Sequence, residues 1–317
     1  MKIIRVAAIQ SISRNGQLFE NLAHVEPMVV EAKSGGAELV LLPEFVSTGY
    51  NLNQEIWNSA ESIDGTTVKW LKDQSKKNSI WIGTSFLEAS GNNFYNTFVL
   101  VNDNGIEIMR VRKSKPAAIE SFFFKGDEGK RVVETPFGRV GVGICYENTL
   151  ASVMQSLKKE NADFVLMPMS APNPTLNKPL TEKDLEEYNY VIKSIASDVA
   201  SELGVPTVMA NKVGSWKTDS PWPFPKERSE FPGYSAIVAA GGKVITQLGN
   251  QEGVIIEDIC LTSSNKTKNV QNPYKKKWAR KTPKLFNFFV ISETLGKIWY
   301  FLSLKRRRIA KIIAARK

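Results

Sequence analysis

The chain has 317 residues, of which 42% are hydrophobic, enough to bury a large core in one large domain or two smaller ones. Its two cysteines, Cys145 and Cys260, are too few for a disulfide framework, and closely spaced Cys and His pairs of the zinc-binding kind are absent. We therefore expect a reducing compartment, no metal and no other cofactor. Residues 1–14 reach polar residues before any cleavage site could follow, so we expect no export signal and a cytoplasmic protein.

The formal net charge of +10 is distributed unevenly along the chain. Residues 1–262 have 26 Lys and Arg against 31 Asp and Glu, whereas residues 263–317 have 16 against one. We predict a domain at 1–262 and a separate basic, amphipathic tail at 263–317. Because the positive charge is confined to the tail, it does not indicate a nucleic-acid groove in the body, and we do not expect nucleic acid as a partner.

Through the body, apolar β-rich runs alternate with amphipathic helical patterns. The predicted strands cover residues 3–10, 37–45, 79–89, 94–102, 138–146, 163–170, 205–211, 234–240 and 243–248. The predicted helices cover residues 17–34, 66–77, 148–160 and 181–203. Several strands are apolar at nearly every residue, which requires cover on both faces. The pattern therefore predicts an α/β fold, with one central sheet or a pair of sheets and helices outside.

Turns and loops refine this prediction. The turn sequences at 102–105 (NDNG) and 239–243 (AAGGK) indicate hairpins, so the sheets are expected to be mixed. Two segments, 171–183 and 214–233, are predicted to be long loops, which in a compact domain are often functional.

Three chemically active residues follow predicted strands: Glu44, Lys113 and Cys145. A thiol attacks as the thiolate, so a catalytic cysteine needs a base or a positive neighbour. The single histidine, His24, lies within an amphipathic helical pattern and is not the expected partner. Taken singly, each of the three residues also has an ordinary structural interpretation, as a solvated acid, a surface lysine and a buried thiol. Cys260 lacks comparable neighbours, and we expect a structural role for it.

The order Glu, Lys, Cys, with the motifs around it, resembles the nitrilase or carbon-nitrogen hydrolase superfamily. The resemblance spans residues 3–262 and includes ELVLLPEFVSTGY, RKSKP, GRVGVGICYEN, LMPMSAPN, MANKVG and GYSAIVAAGGKVI. It implies a four-layer α-β-β-α sandwich with mixed sheets. It also implies association into a homodimer or a larger homo-oligomer.

The resemblance further implies a site in which Glu44 is the base, Lys113 stabilises the oxyanion and Cys145 forms a thioester. Lys115 is the competing lysine, but an arginine directly before the catalytic lysine favours Lys113. Glu120 is the match for a second glutamate of the family. The backbone N–H of Tyr146 is expected to face the oxyanion with Lys113. The other residues expected to bind the oxyanion or the substrate are Tyr146, Glu147, Ser170 and Tyr50.

Residues of this type determine the reaction class but not the substrate. The sequence CYE at the nucleophile is more similar to amidase and acyltransferase branches than to nitrile-hydrolysing ones. We therefore predict a hydrolase of a non-peptide amide bond in a small-molecule or lipid-like substrate. The alternatives are an N-acyltransferase that uses the same residues and a non-catalytic scaffold of the same fold.

The tail departs from the family pattern, because an aromatic and aliphatic stretch at 285–304 lies between the basic sequences KKKWARK and KRRR. A transmembrane helix is a poor fit, since polar residues interrupt the stretch. A helix lying in the membrane interface fits better, and we expect residues 275–317 to bind an anionic membrane surface. The remaining alternative is a contact with a neighbouring subunit.

Overall fold

The computed structural model describes residues 2–176, 180–220, 224, 226–261, 266 and 285–316. The strands are β1 Lys2–Gln10, β2 Leu39–Glu44, β3 Trp81–Ser90, β4 Asn93–Val101, β5 Glu107–Arg112, β6 Val132–Thr135, β7 Gly138–Val142, β8 Phe164–Pro168, β9 Thr207–Ala210, β10 Val213–Thr218, β11 Glu227–Pro232, β12 Ala236–Val238, β13 Val244–Gln247 and β14 Gly253–Leu261. The α-helices are α1 Leu18–Ser34, α2 Thr66–Asn78, α3 Ala151–Lys159, α4 Glu182–Leu203, α5 Leu285–Leu302 and α6 Leu304–Ala314.

Two six-stranded mixed sheets form the centre of the domain. The first has the order β14-β1-β2-β3-β4-β5 and the second has the order β13-β12-β9-β8-β7-β6. Three neighbouring strands in the middle of each sheet are parallel, β1 to β3 in the first and β7 to β9 in the second. The outer strands pair antiparallel. Strands β10 and β11 form a separate hairpin.

Alternation along β1 shows how the layers pack. Ile4, Val6 and Ala8 belong to the core cluster that contains β7 and β8, so this face meets the second sheet. Ala7 and Ile9 belong to a second cluster with residues of α1 and α2. Helices α3 and α4 place their apolar faces in the cluster of the second sheet. Both faces of each sheet are covered, and the predicted α-β-β-α sandwich is confirmed.

The hairpins predicted at NDNG and AAGGK are confirmed, because β4 pairs antiparallel with β5 and β12 with β13. The prediction of one long loop at 214–233 was wrong. Val213–Thr218 and Glu227–Pro232 form a hairpin, in which Trp216, Thr218 and Phe231 are buried and Ser215, Lys217 and Glu230 are exposed. This hairpin has short strands with many polar residues, which weakens the sequence pattern of a strand.

The C-terminal helices pack on the body. The indole of Trp299 in α5 stacks on Trp57, with ring centroids 6.2 Å apart. The N–H of Phe94 donates a hydrogen bond to the Tyr300 hydroxyl at 2.9 Å, and Arg306 in α6 donates to Asn93 Oδ1 at 2.9 Å. Residues 275–284 of the expected membrane segment, 275–317, lie outside the described residues. Within the described part of the chain, no helix is long and apolar enough to cross a membrane.

Candidate active site

Glu44 is the last residue of β2, a fully buried strand between two parallel neighbours. Its N–H donates to Met169 O at 3.1 Å, which ties this strand end to the second sheet. The next residue, Phe45, turns the chain with a φ of +52°. The backbone of Glu44 is therefore fixed at the carboxyl edge of the sheet, and its side chain there has no solvent exposure.

Lys113 directly follows β5, and its side chain is also fully buried. Its Nζ lies 2.9 Å from Glu44 Oε1 and 2.9 Å from Glu120 Oε2. Lys115, the competing lysine of the sequence, points elsewhere: its side chain is 34% exposed and its Nζ lies 2.9 Å from Glu293 Oε2. The structure thus brings Lys113, and not Lys115, into contact with Glu44.

Glu120 lies in a 3-10 turn, Ala118–Phe122, that follows Lys113. Its carboxylate accepts hydrogen bonds from the Tyr50 hydroxyl at 2.8 Å and from Ala117 N at 2.7 Å. A buried lysine with two carboxylates needs such fixed partners, because a buried charge without them is costly. Glu120 and Tyr50, both named from the sequence, therefore hold Lys113 in one position.

Cys145 begins a 3-10 turn just after β7, in a left-handed conformation with a φ of +50°. This conformation costs a non-glycine residue about 1 to 3 kcal/mol. The amide of Asn148 supports the turn by donating to Gly143 O at 2.7 Å and to Cys145 O at 3.0 Å. The thiol lies within electrostatic reach of the Glu44 carboxylate. The strained turn thus brings Cys145 to Glu44.

The electrostatics of the cluster follow from its burial. Burial raises the pKa of the Cys145 thiol well above its usual value, and the charge of Glu44 raises it further, whereas Lys113 lowers it. Burial opposes the charge of Lys113, but the carboxylates of Glu120 and Glu44 outweigh it and raise the pKa of this lysine. Burial also raises the pKa of Glu44. The thiol is therefore neutral at rest and needs a base when it attacks.

Glu147 and Ser170 differ in their surroundings. Glu147 accepts hydrogen bonds from Arg131 at 2.6 and 2.9 Å, from Ser114 N at 2.7 Å and from Ile144 N at 3.0 Å. Glu147 does not line the cavity, although the sequence led us to expect a contact with the substrate. Instead, it connects the backbone next to Lys113 with the backbone next to Cys145. Ser170 lines the cavity, and its hydroxyl donates to Glu44 O at 2.7 Å.

Two buried residues of the cluster were not predicted. Asn96 on β4 donates from Nδ2 to Glu44 Oε1 at 2.6 Å, so it orients the carboxylate together with Lys113. Lys212 donates to Phe45 O at 2.9 Å, and burial lowers its pKa to about 7, although Glu44 acts against this shift. A lysine within the apolar sequence MANKVG was the one available signal for Lys212.

A cavity of about 440 Å³ opens at Cys145. Its walls come from the segments that follow β7 and β8, and from α4, the β10–β11 hairpin and α5. Tyr146 lines it beside the nucleophile, and its ring meets Phe289 of α5 with centroids 5.4 Å apart. Among the described residues, no group of three or more His, Cys, Asp and Glu could hold a metal ion. His24 pairs with Glu252 at 2.7 Å on the outer face of α1.

Known proteins resemble this chain in sequence and in fold. The sequence model of the carbon-nitrogen hydrolase family matches residues 5–269. The chain belongs to the carbon-nitrogen hydrolase family. The match includes Glu44, Lys113, Glu120 and Cys145, and the protein is an amidase-type hydrolase.

Curated relatives of this carbon-nitrogen hydrolase include a nitrilase of Pyrococcus abyssi, 30% identical over 68% of this chain and 83% of that protein. An omega-amidase of Danio rerio is 28% identical over 76% of this chain and 83% of that protein. Among solved structures, a carbon-nitrogen hydrolase from Helicobacter pylori superposes with a TM-score of 0.72 at 18% identity, covering 81% of this chain and 89% of that one.

A second structural neighbour is an amidase from Nesterenkonia sp. AN1, with a TM-score of 0.66 at 18% identity, covering 80% of this chain and 92% of that one. That structure is of a Glu→Gln variant of the amidase, with acrylamide added covalently to its active-site cysteine. At this level of identity, both structural neighbours show the fold of the carbon-nitrogen hydrolase alone.

Proposed function

We propose that this carbon-nitrogen hydrolase cleaves the amide bond of an amphiphilic substrate through a thioester on Cys145, at a membrane surface. One observation carries the chemistry: Cys145 lines the cavity within electrostatic reach of Glu44, whose Oε1 lies 2.9 Å from Nζ of Lys113. A nucleophile, a base and a cation meet at one wall of a cavity, as acyl transfer requires.

In the first half-reaction, Glu44 takes the thiol proton while the sulfur of Cys145 bonds to the amide carbonyl carbon. The carbonyl electrons move to oxygen, and the Lys113 ammonium and the Tyr146 N–H stabilise this oxyanion. When the oxyanion collapses, the C–N bond breaks and the amine leaves with the proton that Glu44 returns. The acyl group remains on Cys145 as a thioester.

In the second half-reaction, Glu44 takes a proton from water as the water oxygen attacks the thioester carbon. The C–S bond then breaks, the carboxylic acid leaves, and the thiolate regains its proton from Glu44. In this scheme Glu120 positions Lys113, Asn96 positions Glu44 and Tyr50 positions Glu120, each through a hydrogen bond. Tyr50 also lines the cavity.

Acrylamide tests the nucleophile, since a Glu→Gln variant of the Nesterenkonia amidase forms a covalent adduct with it. We expect intact-protein mass spectrometry to find one adduct on Glu44→Gln and on Glu44→Gln/Cys260→Ala, and none on Glu44→Gln/Cys145→Ala. Turnover of simple amides should be lost in Cys145→Ala and kept in the matched control Cys260→Ala. Amide turnover by Cys145→Ala would overturn the proposal.

The membrane part of the proposal rests on an exposed face of the C-terminal helices. Six apolar side chains of α5, here called the apolar strip, are each more than half exposed. The strip consists of Val290, Ile291, Leu295, Ile298, Phe301 and Leu302. Exposed cations, Lys297, Lys305, Arg308 and Lys311, lie along the same two helices. An apolar face beside clustered cations suits the boundary between headgroups and acyl chains of an anionic bilayer.

Vesicle sedimentation tests this binding. The full chain should sediment with vesicles that contain anionic lipid, and less with zwitterionic ones or in high salt. The double variant Phe301→Glu/Leu302→Glu should lose sedimentation, whereas Val244→Glu, on the exposed strand β13, should keep it. If the wild type does not sediment but forms a dimer that the double variant dissociates, the strip is a contact with a second copy and the membrane proposal fails.

Transfer of the acyl group to an amine uses the same thioester and stays the alternative prediction. Hydroxylamine, added during turnover, would give a hydroxamic acid if an amine can replace water. Formation of the carboxylic acid alone would count against transfer.

A further inference from the structure

Helix α5 forms one wall of the cavity at Cys145. Four of its residues line the cavity: Phe289, Ile291, Ser292 and Leu295. The helix is held close by Gly296, where an added Cβ would lie 2.0 Å from Ser121 Oγ and 2.9 Å from Phe122 N. The Ser121 hydroxyl also donates to Ser292 O at 3.2 Å. The basic tail therefore takes part in the site.

The chemistry of the walls limits what the cavity accepts. Among the described lining residues, Glu227 alone has a charged side chain, and it is engaged by the N–H of Thr175 at 3.3 Å. Most other lining residues are apolar, including Leu52, Val191 and Ile195. A negatively charged substrate group would lose its hydration here without a cation to pair with, and a positive one would find Glu227 alone among the described lining residues. An uncharged, apolar portion of the substrate fits these walls.

The wall of the cavity is continuous with the apolar strip. Ile291 and Leu295 belong to both, since they line the cavity and are 62% and 51% exposed. A side chain with both properties stands at the rim, with one side toward the cavity and another toward the surroundings. Whatever apolar medium covers the strip is therefore in contact with the mouth of the cavity.

From this continuity we propose that α5 selects the substrate, and that the substrate is an uncharged amide with an alkyl chain that passes between the strip and Cys145 over Ile291 and Leu295. This inference rests on the proposed function and deepens it. Each methylene that the cavity removes from water should raise kcat/KM roughly fourfold until the cavity is full. Substrates without an apolar part should react slowly.

The test compares kcat/KM across the unbranched primary amides from acetamide to decanamide, with N-alkylacetamides of the same chain lengths as a second series. For the wild type, kcat/KM should rise with chain length in one series, which tells whether the chain is on the acyl or the amine part. Leu295→Trp narrows the rim and should remove the gain in kcat/KM for the longer amides. Ile298→Trp, a strip residue that does not line the cavity, should behave as the wild type.

The outcomes separate this inference from the proposed function. A flat dependence on chain length in both series, or an equal effect of the two tryptophan variants, would overturn the role of α5 while Cys145-dependent turnover still stands. Loss of turnover for every amide would overturn the proposed function, and this inference with it.

Discussion

The carboxylate of Glu293 on α5 lies 2.9 Å from Nζ of Lys115, two residues after the lysine of the buried cluster. Burial raises the pKa of the Tyr146 hydroxyl, beside the nucleophile, and the charge of Glu293 raises it further. The side chain of Glu293 is 5% exposed, so this pair is mostly shielded from water. One carboxylate of the tail thus bridges the segment after Lys113 and the segment after Cys145.

We expect Lys115→Met to loosen α5, because the variant leaves Glu293 without its cation in a shielded place. Removal of one charged hydrogen-bond partner costs about 1 to 3 kcal/mol. Amide hydrogen exchange across residues 289–300 should become faster, while exchange in β1 to β3 should not change. Lys297→Met, on the exposed side of α5, is the control and should leave exchange as in the wild type. Unchanged exchange in Lys115→Met would show that the pair does not hold the helix.

The titration of Cys145 should respond in opposite directions to its two charged neighbours. Since the charge of Glu44 raises the pKa of the thiol and Lys113 lowers it, Glu44→Gln should move the pH midpoint of iodoacetamide alkylation down and Lys113→Met should move it up. Both variants should nevertheless lose amide turnover, by roughly 10² to 10⁴-fold for the loss of the base. Measurements in a Cys260→Ala background leave Cys145 as the reacting thiol. Midpoints that move in the same direction would contradict this account of the cluster.

Only some of the residues in these predictions could be identified from the sequence. Glu44, Lys113 and Cys145 could be named from the sequence, because their order and the motifs around them resemble the carbon-nitrogen hydrolase superfamily. Asn96 could not, because it lies inside a strand and its contact with Glu44 depends on the pairing of β2 with β3 and of β3 with β4. The same limit applies to α5. Its amphipathic pattern indicated an apolar face, but contact with Tyr146 depends on packing across more than a hundred residues.

Glu120 should matter through Lys113. Its charge is the largest of the causes that raise the pKa of Lys113, so Glu120→Gln should lower this pKa and move the basic limb of the kcat profile to lower pH. Because the ammonium also loses part of its support, kcat should fall, by roughly 10²-fold if the oxyanion contact is misplaced. Tyr50→Phe removes one neutral hydrogen bond to Glu120 and should weaken the positioning of Glu120 by about 0.5 to 1.5 kcal/mol. It should not move the basic limb of the kcat profile. An unmoved basic limb in Glu120→Gln would refute the link.

Lys212 gives a prediction about stability. Burial lowers its folded pKa to about 7, well below the value of about 10.4 for an unfolded lysine. Between these pH values the unfolded chain binds more protons, so this residue makes the free energy of unfolding rise with pH, by at most about 1.4 kcal/mol per pH unit. The contribution is present above the unfolded pKa and is lost as pH falls through 7. Urea unfolding at pH 7, 8 and 9 should show this rise in the wild type and not in Lys212→Met, while the exposed Lys297→Met should match the wild type.

Gly296 tests how closely α5 must approach the turn Ala118–Phe122. By helix propensity alone, Gly296→Ala would stabilise the chain by about 1 kcal/mol. The added methyl would instead lie 2.0 Å from Ser121 Oγ and 2.9 Å from Phe122 N, and because the second atom is backbone, the helix has to shift. Overpacking of this kind costs about 1 to 3 kcal/mol, so we expect a lower melting temperature and a changed chain-length preference together. Lys297→Ala, the neighbouring exposed position, should change neither. A melting temperature that rises in Gly296→Ala would mean that the space between α5 and this turn can accommodate the added methyl group.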